Sequence, residues 1–199
     1  MSMPRDDAAT ETDAMLLQRF AAGDAAAAGI LVQRYLPVAL RLATRLLGDR
    51  AEAEDVAQEA MLRLWRIAPD WRPGDAQVST WLYRVVSNLC LDRLRRRGRS
   101  VPFDSVPDLA NRPDGAPDAV EQITAADRTA AFERALGALP DRQRQAVVLR
   151  HLEGLSNPEI AAVMDIGVEA VESLTARGRR ALAAALRGRA GELGYGDDG

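Results

Sequence analysis

Ile160-Ala-Ala-Val-Met-Asp-Ile-Gly-Val-Glu-Ala-Val171 carries the reading of the fold. Two apolar runs at helical spacing flank a short break. Ala161 is small, where two helices must approach closely. Asp165 stands at the tight turn and tolerates a left-handed backbone. Gly167 is an acceptable N-cap, and Val171 is apolar where the second helix packs back on the first. The spacing is that of a helix-turn-helix, whose second helix lies in a DNA major groove with its early residues at base edges. Arg177, Arg179 and Arg180 continue that helix and suit phosphates. An ordinary helical hairpin with a solvated arginine face fits the same letters.

Outward from this pair the chain reads as helix. Ser156-Asn-Pro-Glu159 is a capping box with proline in the first turn, so a short helix runs from there to Met164. The last helix follows Gly167 and reaches about Leu186. Upstream, one helix covers about Thr124 to Leu136, and Pro140-Asp141 starts another that ends at Gly154. Residues Val101 to about Glu121 differ in character. They hold Pro102, Pro107, Pro113 and Pro117 among Asp104, Asp108, Asp114 and Asp118. That density of proline and aspartate offers too little apolar surface to fold, and we read a linker at 101–123.

The N-terminal half is helical as well. Stretches run from Asp13 to Phe20 and from about Ala25 to Leu47, the second with Leu31, Tyr35, Leu42 and Leu46 near one stripe. Pro37 marks a bend or a break in it, and Gly48 ends it. Asp49 with Glu52 opens a third helix, with Val56, Ala60 and Leu64 as its apolar stripe, which Pro69 stops. A fourth runs from near Ser79 to Arg97. The expected fold class is therefore all-α: two small helical domains (13–100 and 124–190) joined by a flexible acidic linker, the second containing the helix-turn-helix. Residues 1–12 and 191–199 read as disordered ends.

Two charge patterns stand out in the first half. Between Arg84 and Arg99 there are six arginines against the single acid Asp92. Arg84, Asn88, Arg95 and Arg99 fall near one helix face, an electrostatic footprint for a phosphate backbone. Trp71, Trp81 and Tyr83 lie close enough in sequence to stack unpaired bases, although Trp81 also suits a core. The other pattern is acidic: Asp55, Gln58, Glu59 and Leu62 form a polar-rimmed face fit to dock a basic helix. Acids in a first helical turn equally suit the helix dipole.

Composition excludes several classes. The 199 residues hold one cysteine, Cys90, and one histidine, His151. That rules out an internal disulfide and a CxxC zinc site, and it leaves no catalytic constellation. No apolar run is long enough for a membrane span, and the N-terminus lacks a signal core. All 26 basic side chains are arginine, with a net charge of −3. Arginine gives permanent, fork-shaped donors for phosphate and guanine. A cytoplasmic protein with no cofactor, no metal, no small-molecule substrate and no membrane insertion is expected, not an enzyme.

Taken together and in order, these pieces resemble the extracytoplasmic-function sigma factors of the sigma-70 family. Asp55-Val-Ala-Gln-Glu-Ala-Met-Leu-Arg-Leu-Trp65 is similar to that family's polymerase-binding helix. Thr80-Trp-Leu-Tyr-Arg-Val-Val-Ser-Asn-Leu-Cys-Leu-Asp-Arg-Leu-Arg-Arg-Arg97 looks like its promoter-melting, −10-reading helix. Ala138-Leu-Pro-Asp-Arg-Gln-Arg-Gln-Ala-Val-Val-Leu-Arg150 with the helix-turn-helix looks like its −35-reading domain. The resemblance spans roughly Asp13 to Leu186.

What the resemblance implies is a sigma factor that binds core RNA polymerase and directs promoter-specific initiation. Asp55, Gln58, Glu59 and Leu62 would bind the polymerase clamp. Trp71, Trp81, Tyr83, Arg84, Asn88, Arg93, Arg95, Arg96, Arg97 and Arg99 would serve −10 DNA, with Asn88 helping to capture a flipped-out base and the Trp71 to Val78 loop framing its pocket. Glu169, Glu172, Ser173, Thr175, Ala176, Arg177, Arg179 and Arg180 would face the −35 duplex. The acidic linker would thread a basic polymerase channel, and an anti-sigma factor is an expected partner. The sequence departs from the family where many members carry arginine at the positions of Glu172 and Leu174 and a large side chain at that of Ala176. That departure bears on the −35 preference. A helix-turn-helix regulator acting outside the polymerase, and a helical adaptor that binds only protein, are the other readings. The second would not need the Arg84 to Arg99 stripe.

Overall fold

Glycine and aspartate punctuation sets the helices of the first half. The computed structural model describes residues 12–72, 77–100 and 125–187, and side chains at 98–100 and 125–128 lie outside that description. Helix α1 (Asp13–Ala21) starts where the Thr12 hydroxyl accepts from the Met15 amide, so Thr12 belongs to the folded part. Helix α2 (Ala25–Leu47) is capped by Asp24, which accepts from the Ala26 amide at 2.9 Å. The Arg19 guanidinium beside Asp24 holds that carboxyl below the usual range. Pro37 lies inside α2 without ending it. It sits on the exposed side with Gln33, whose carbonyl loses its helical donor where water can replace it. Gly48 ends the helix in a left-handed conformation (φ 66°), and Asp49 at once caps α3 (Arg50–Ile67) by accepting from the Glu52 amide at 3.0 Å.

The buried side of α2 is Ala27, Leu31, Tyr35, Ala39, Leu42, Ala43, Leu46 and Leu47, a stripe at helical period. It packs on Ala53, Val56, Ala57, Ala60 and Leu64 of α3. A short 3-10 turn (Ala68–Asp70) follows α3 at Pro69. Helix α4 (Val78–Ser100) closes the unit with Leu82, Val86 and Cys90. Trp71 is buried and meets Trp81 edge-on, with ring centroids 6.2 Å apart.

The second half holds α5 (Ala125–Gly137), α6 (Asp141–Val147), α7 (Asn157–Met164) and α8 (Val168–Arg187). Helix α6 runs on into a π turn (Val148–Leu152), and the chain turns at Gly154 (φ 76°). The Ser156 and Glu159 capping box forms as expected, and its hydrogen bonds hold the Glu159 carboxyl below its usual range. Asp165 takes the left-handed turn (φ 53°), and Val171 is fully buried in the core. Gly178 explains the close crossing of α8 on α6. A Cβ there would stand 2.6 Å from Val147 Cγ2 and 3.1 Å from the Gln143 carbonyl oxygen.

The two halves pack on one another, and the buried apolar residues form one continuous core. Arg144 ties the junction. It is buried, and it donates to the carbonyls of Leu136 (3.1 Å), Leu139 (3.1 Å) and, across the junction, Leu46 (2.6 Å). The sequence readings at 1–11, 73–76, 101–124 and 188–199, which include the linker and both ends, lie outside the described residues.

Candidate nucleic-acid interface

Helix α3 and helix α4 build the first surface. Asp55, Gln58, Glu59 and Leu62 line one open groove with Arg63, Leu89, Asp92, Arg93 and Arg96. Leu62 is 49% exposed, an apolar side chain with a charged rim. Glu59 accepts from Arg63 one turn on at 2.8 Å, which keeps its carboxylate ionised. The helical spacing of these four residues predicts one face, and the fold keeps them there.

The arginines of α4 divide into two sets. Arg93 and Arg97 turn toward the start of α3. Arg93 donates to the Glu52 carbonyl at 3.2 Å, and Arg97 pairs with Glu52 at 2.6 Å and Asp49 at 3.5 Å. Those acids fix the α3 N-terminus against α4, so these two guanidinia are structural in this conformation. The other set faces outward. Asn88 and Arg96 are exposed, and Arg95 is exposed beside Asp92 at 3.3 Å. Arg99 lies among the residues whose side chains are not described. Trp71 is core, so it is not a free stacking surface, and Trp81 is half-buried against it. Cys90 is buried, and that burial pushes its thiol up to about 12, which disfavours the thiolate near neutral pH.

Tyr83 and Arg84, both assigned to DNA from sequence, contact the second half in this conformation. Arg84 donates through Nε to the Ala162 carbonyl at 3.1 Å, in the last turn of α7. Unpaired carbonyls at a helix C-terminus attract a cation, which accounts for the contact. The Tyr83 hydroxyl donates to Glu153 Oε2 at 3.2 Å. The same carboxylate accepts from Arg41 at 2.7 Å and from Arg45 at 2.6 Å. Its side chain is fully buried. Burial and the neighbouring carboxylate push the Tyr83 hydroxyl up to about 12. Sequence reasoning missed Arg41, Arg45 and Glu153. The only local signal was a pair of arginines four apart on α2, which reads as a solvated face.

On α8, Glu169, Glu172, Arg177, Arg179 and Arg180 are exposed, while Ser173, Thr175 and Ala176 are half-buried. Ser173 accepts from Arg177 at 2.6 Å, and Glu172 accepts from Asn157 at 3.3 Å. The Thr175 hydroxyl is buried without a hydrogen-bond partner, so it points inward. Among the described residues no group of His, Cys, Asp and Glu is set to hold a metal, and no helix is long and apolar enough to cross a membrane.

Comparison with known proteins fits this geometry. The family model for sigma-70 region 2 matches residues 31–100, and that for sigma-70 region 4 matches residues 129–182. The chain is 38% identical over 153 residues to the ECF RNA polymerase sigma factor SigE of Mycolicibacterium smegmatis, covering 76% of this chain and 58% of the relative. It is 35% identical over 184 residues to the RNA polymerase sigma-H factor of Pseudomonas aeruginosa, covering 89% and 95%. Solved structures are similar as well. CnrH in complex with the cytosolic domain of CnrY superposes with a TM-score of 0.64 at 30% identity, over 89% of this chain and 99% of that one. The sigma factor RpoE of Bartonella quintana, in complex with the anti-sigma factor NepR, superposes with a TM-score of 0.59 at 25% identity, over 78% and 94%.

Proposed function

The chain belongs to the extracytoplasmic-function group of the sigma-70 family, the sigma factors that direct promoter-specific transcription initiation with core RNA polymerase, and on that premise we propose which surface carries each step. The groove of Asp55, Gln58, Glu59 and Leu62 docks on core polymerase. Leu62 is the apolar anchor, and the carboxylates orient a basic partner helix around it. The supporting observation is that an exposed leucine, two carboxylates and an amide share one open groove of α3 and α4.

Beside that groove, the outward face of α4 holds the −10 region while the strands part. Arg84, Arg95 and Arg96 supply positive charge, and Asn88 reads a base turned out of the stack. Unstacking a base costs a few kcal/mol, so a pocket and a charged track are both needed. Helix α8 enters the major groove at the −35 element. Glu169 and Glu172 approach base edges, where a carboxylate accepts from a cytosine amino group. Arg177, Arg179 and Arg180 hold phosphates. The acidic linker at 101–123 threads a basic channel of the polymerase. An anti-sigma factor masks the two domains; the Bartonella relative is itself found in complex with one. The protein acts in the cytoplasm, with no cofactor and no catalytic chemistry of its own.

The double variant D55R/E59R tests the assignment of the first groove. It should lose co-elution with core polymerase at least tenfold while keeping its helical content. Retained co-elution would move core binding to another face.

A further inference from the structure

The second half presents a set of oxygen acceptors to a set of donors on α2 and α4. The acceptors are the Glu153 carboxylate and the carbonyls of Leu152 and Ala162. The donors are Arg41, Arg45, Tyr83 and Arg84. Arg41 Nε and Nη2 approach Glu153 at 3.2 and 2.7 Å, a forked arrangement. Arg45 Nη1 reaches Glu153 at 2.6 Å and the Leu152 carbonyl at 3.1 Å. Tyr83 completes the set at 3.2 Å. Three donors thus converge on one carboxylate whose side chain has no exposure.

Two guanidinia outnumber one carboxylate, so the cradle keeps a net positive charge even when filled. Arg84 follows Tyr83 along α4, and Asn88, exposed, lies one turn further on. The donor set therefore runs on into the face assigned to −10 DNA. Oxygen acceptors of the second half occupy these donors, and a phosphate backbone offers acceptors of the same chemistry. We propose that Arg41, Arg45 and Tyr83 form a phosphate-binding cradle that Glu153 fills in the free chain, so that packing of the two halves and binding of −10 DNA exclude one another. The groove of Asp55, Gln58, Glu59 and Leu62 is lined by α3 and α4 alone. Polymerase can thus dock on the packed chain before the halves part. The choice of DNA as the ligand rests on the function proposed above; the packing of the halves through Glu153 does not.

The experiment uses the full chain in three forms: wild type, Glu153→Ala, and the double variant R41Q/R45Q. Circular dichroism checks their helical content. Small-angle scattering reads the radius of gyration, and anisotropy of a labelled random single-stranded DNA 20-mer, titrated with salt, reads phosphate binding. Both altered forms should expand. Glu153→Ala should bind DNA roughly tenfold more tightly than wild type, an effect on the order of one desolvated charge pair exchanged for another. R41Q/R45Q should show no such gain, and its salt slope should be shallower than that of Glu153→Ala by about 0.7 for each phosphate the arginines no longer hold. Unchanged size and DNA affinity in Glu153→Ala would overturn the proposal. So would R41Q/R45Q binding DNA as tightly as Glu153→Ala, which would leave the arginines as a latch or as a site for an acidic protein. Co-elution with core polymerase, followed in parallel, reports separately on the sigma function.

Discussion

Gly178 and Arg144 show how single residues decide the packing of the second half. Glycine in a helix interior costs about 1 kcal/mol relative to alanine, so its presence in α8 marks a close approach. The 2.6 Å that a Cβ would leave to Val147 supplies the reason. Gly178→Ala should therefore destabilise the fold by about 1–3 kcal/mol, the usual cost of overpacking, despite its better helix propensity. Urea unfolding followed by circular dichroism measures this. Arg144 is a buried cation surrounded by carbonyls, and that burial lowers its pKa while leaving it charged. Arg144→Ala strands several carbonyl acceptors and should cost about 2–3 kcal/mol in the same measurement. A glycine inside α8 hints at a close approach, but what it approaches was not legible in the sequence, and Arg144 looks like any other helix arginine. Their partners stand far away in the chain: 31 positions separate Gly178 from Val147, and 98 separate Arg144 from Leu46.

At the scale of the element, most of the architecture was legible because local chemistry set it. Gly48 and Asp49 mark the α2–α3 turn, Ser156 with Glu159 marks the start of α7, and Asp165 marks the turn of the helix-turn-helix. Ser156→Ala should lower stability by about 1 kcal/mol near neutral pH, as loss of an N-cap does. The sign of its pH dependence follows from Glu159, whose carboxyl the capping box holds below its unfolded value. That contribution is present above the ordinary carboxylate range and is lost as pH falls through the folded value. The gap between wild type and Ser156→Ala in thermal melts should therefore narrow as the solution is acidified. The elements that escaped sequence reading are those without a local code. The π turn at Val148–Leu152 departs from α-helix only in its hydrogen-bond register, closed by the Glu153 backbone amide donating to the Val148 carbonyl at 3.0 Å. The division of the α4 arginines was equally hidden. Arg93 and Arg97 look like their neighbours until Asp49 and Glu52 are brought beside them from the start of α3.

For the whole molecule, the order of the helices was legible, but the relation of the two halves was not. The sequence reading of two helical domains joined by a linker suggests independent units. The structure joins them in one core, with Arg144 crossing the junction and Glu153 filling a cradle of arginines. A sequence reports which charges exist, not which of them meet. The acidic net charge of −3 and the packed halves both work against DNA binding by the free chain. The measurement that bears most directly on the account is reconstitution. The purified chain is mixed with bacterial core polymerase, passed through gel filtration, and assayed for run-off transcription from a pool of genomic promoters. We expect co-elution with core and new transcripts with defined start sites, while the free chain binds the same promoters weakly at physiological salt. Failure to bind core, with tight and specific promoter binding by the free chain, would contradict the account.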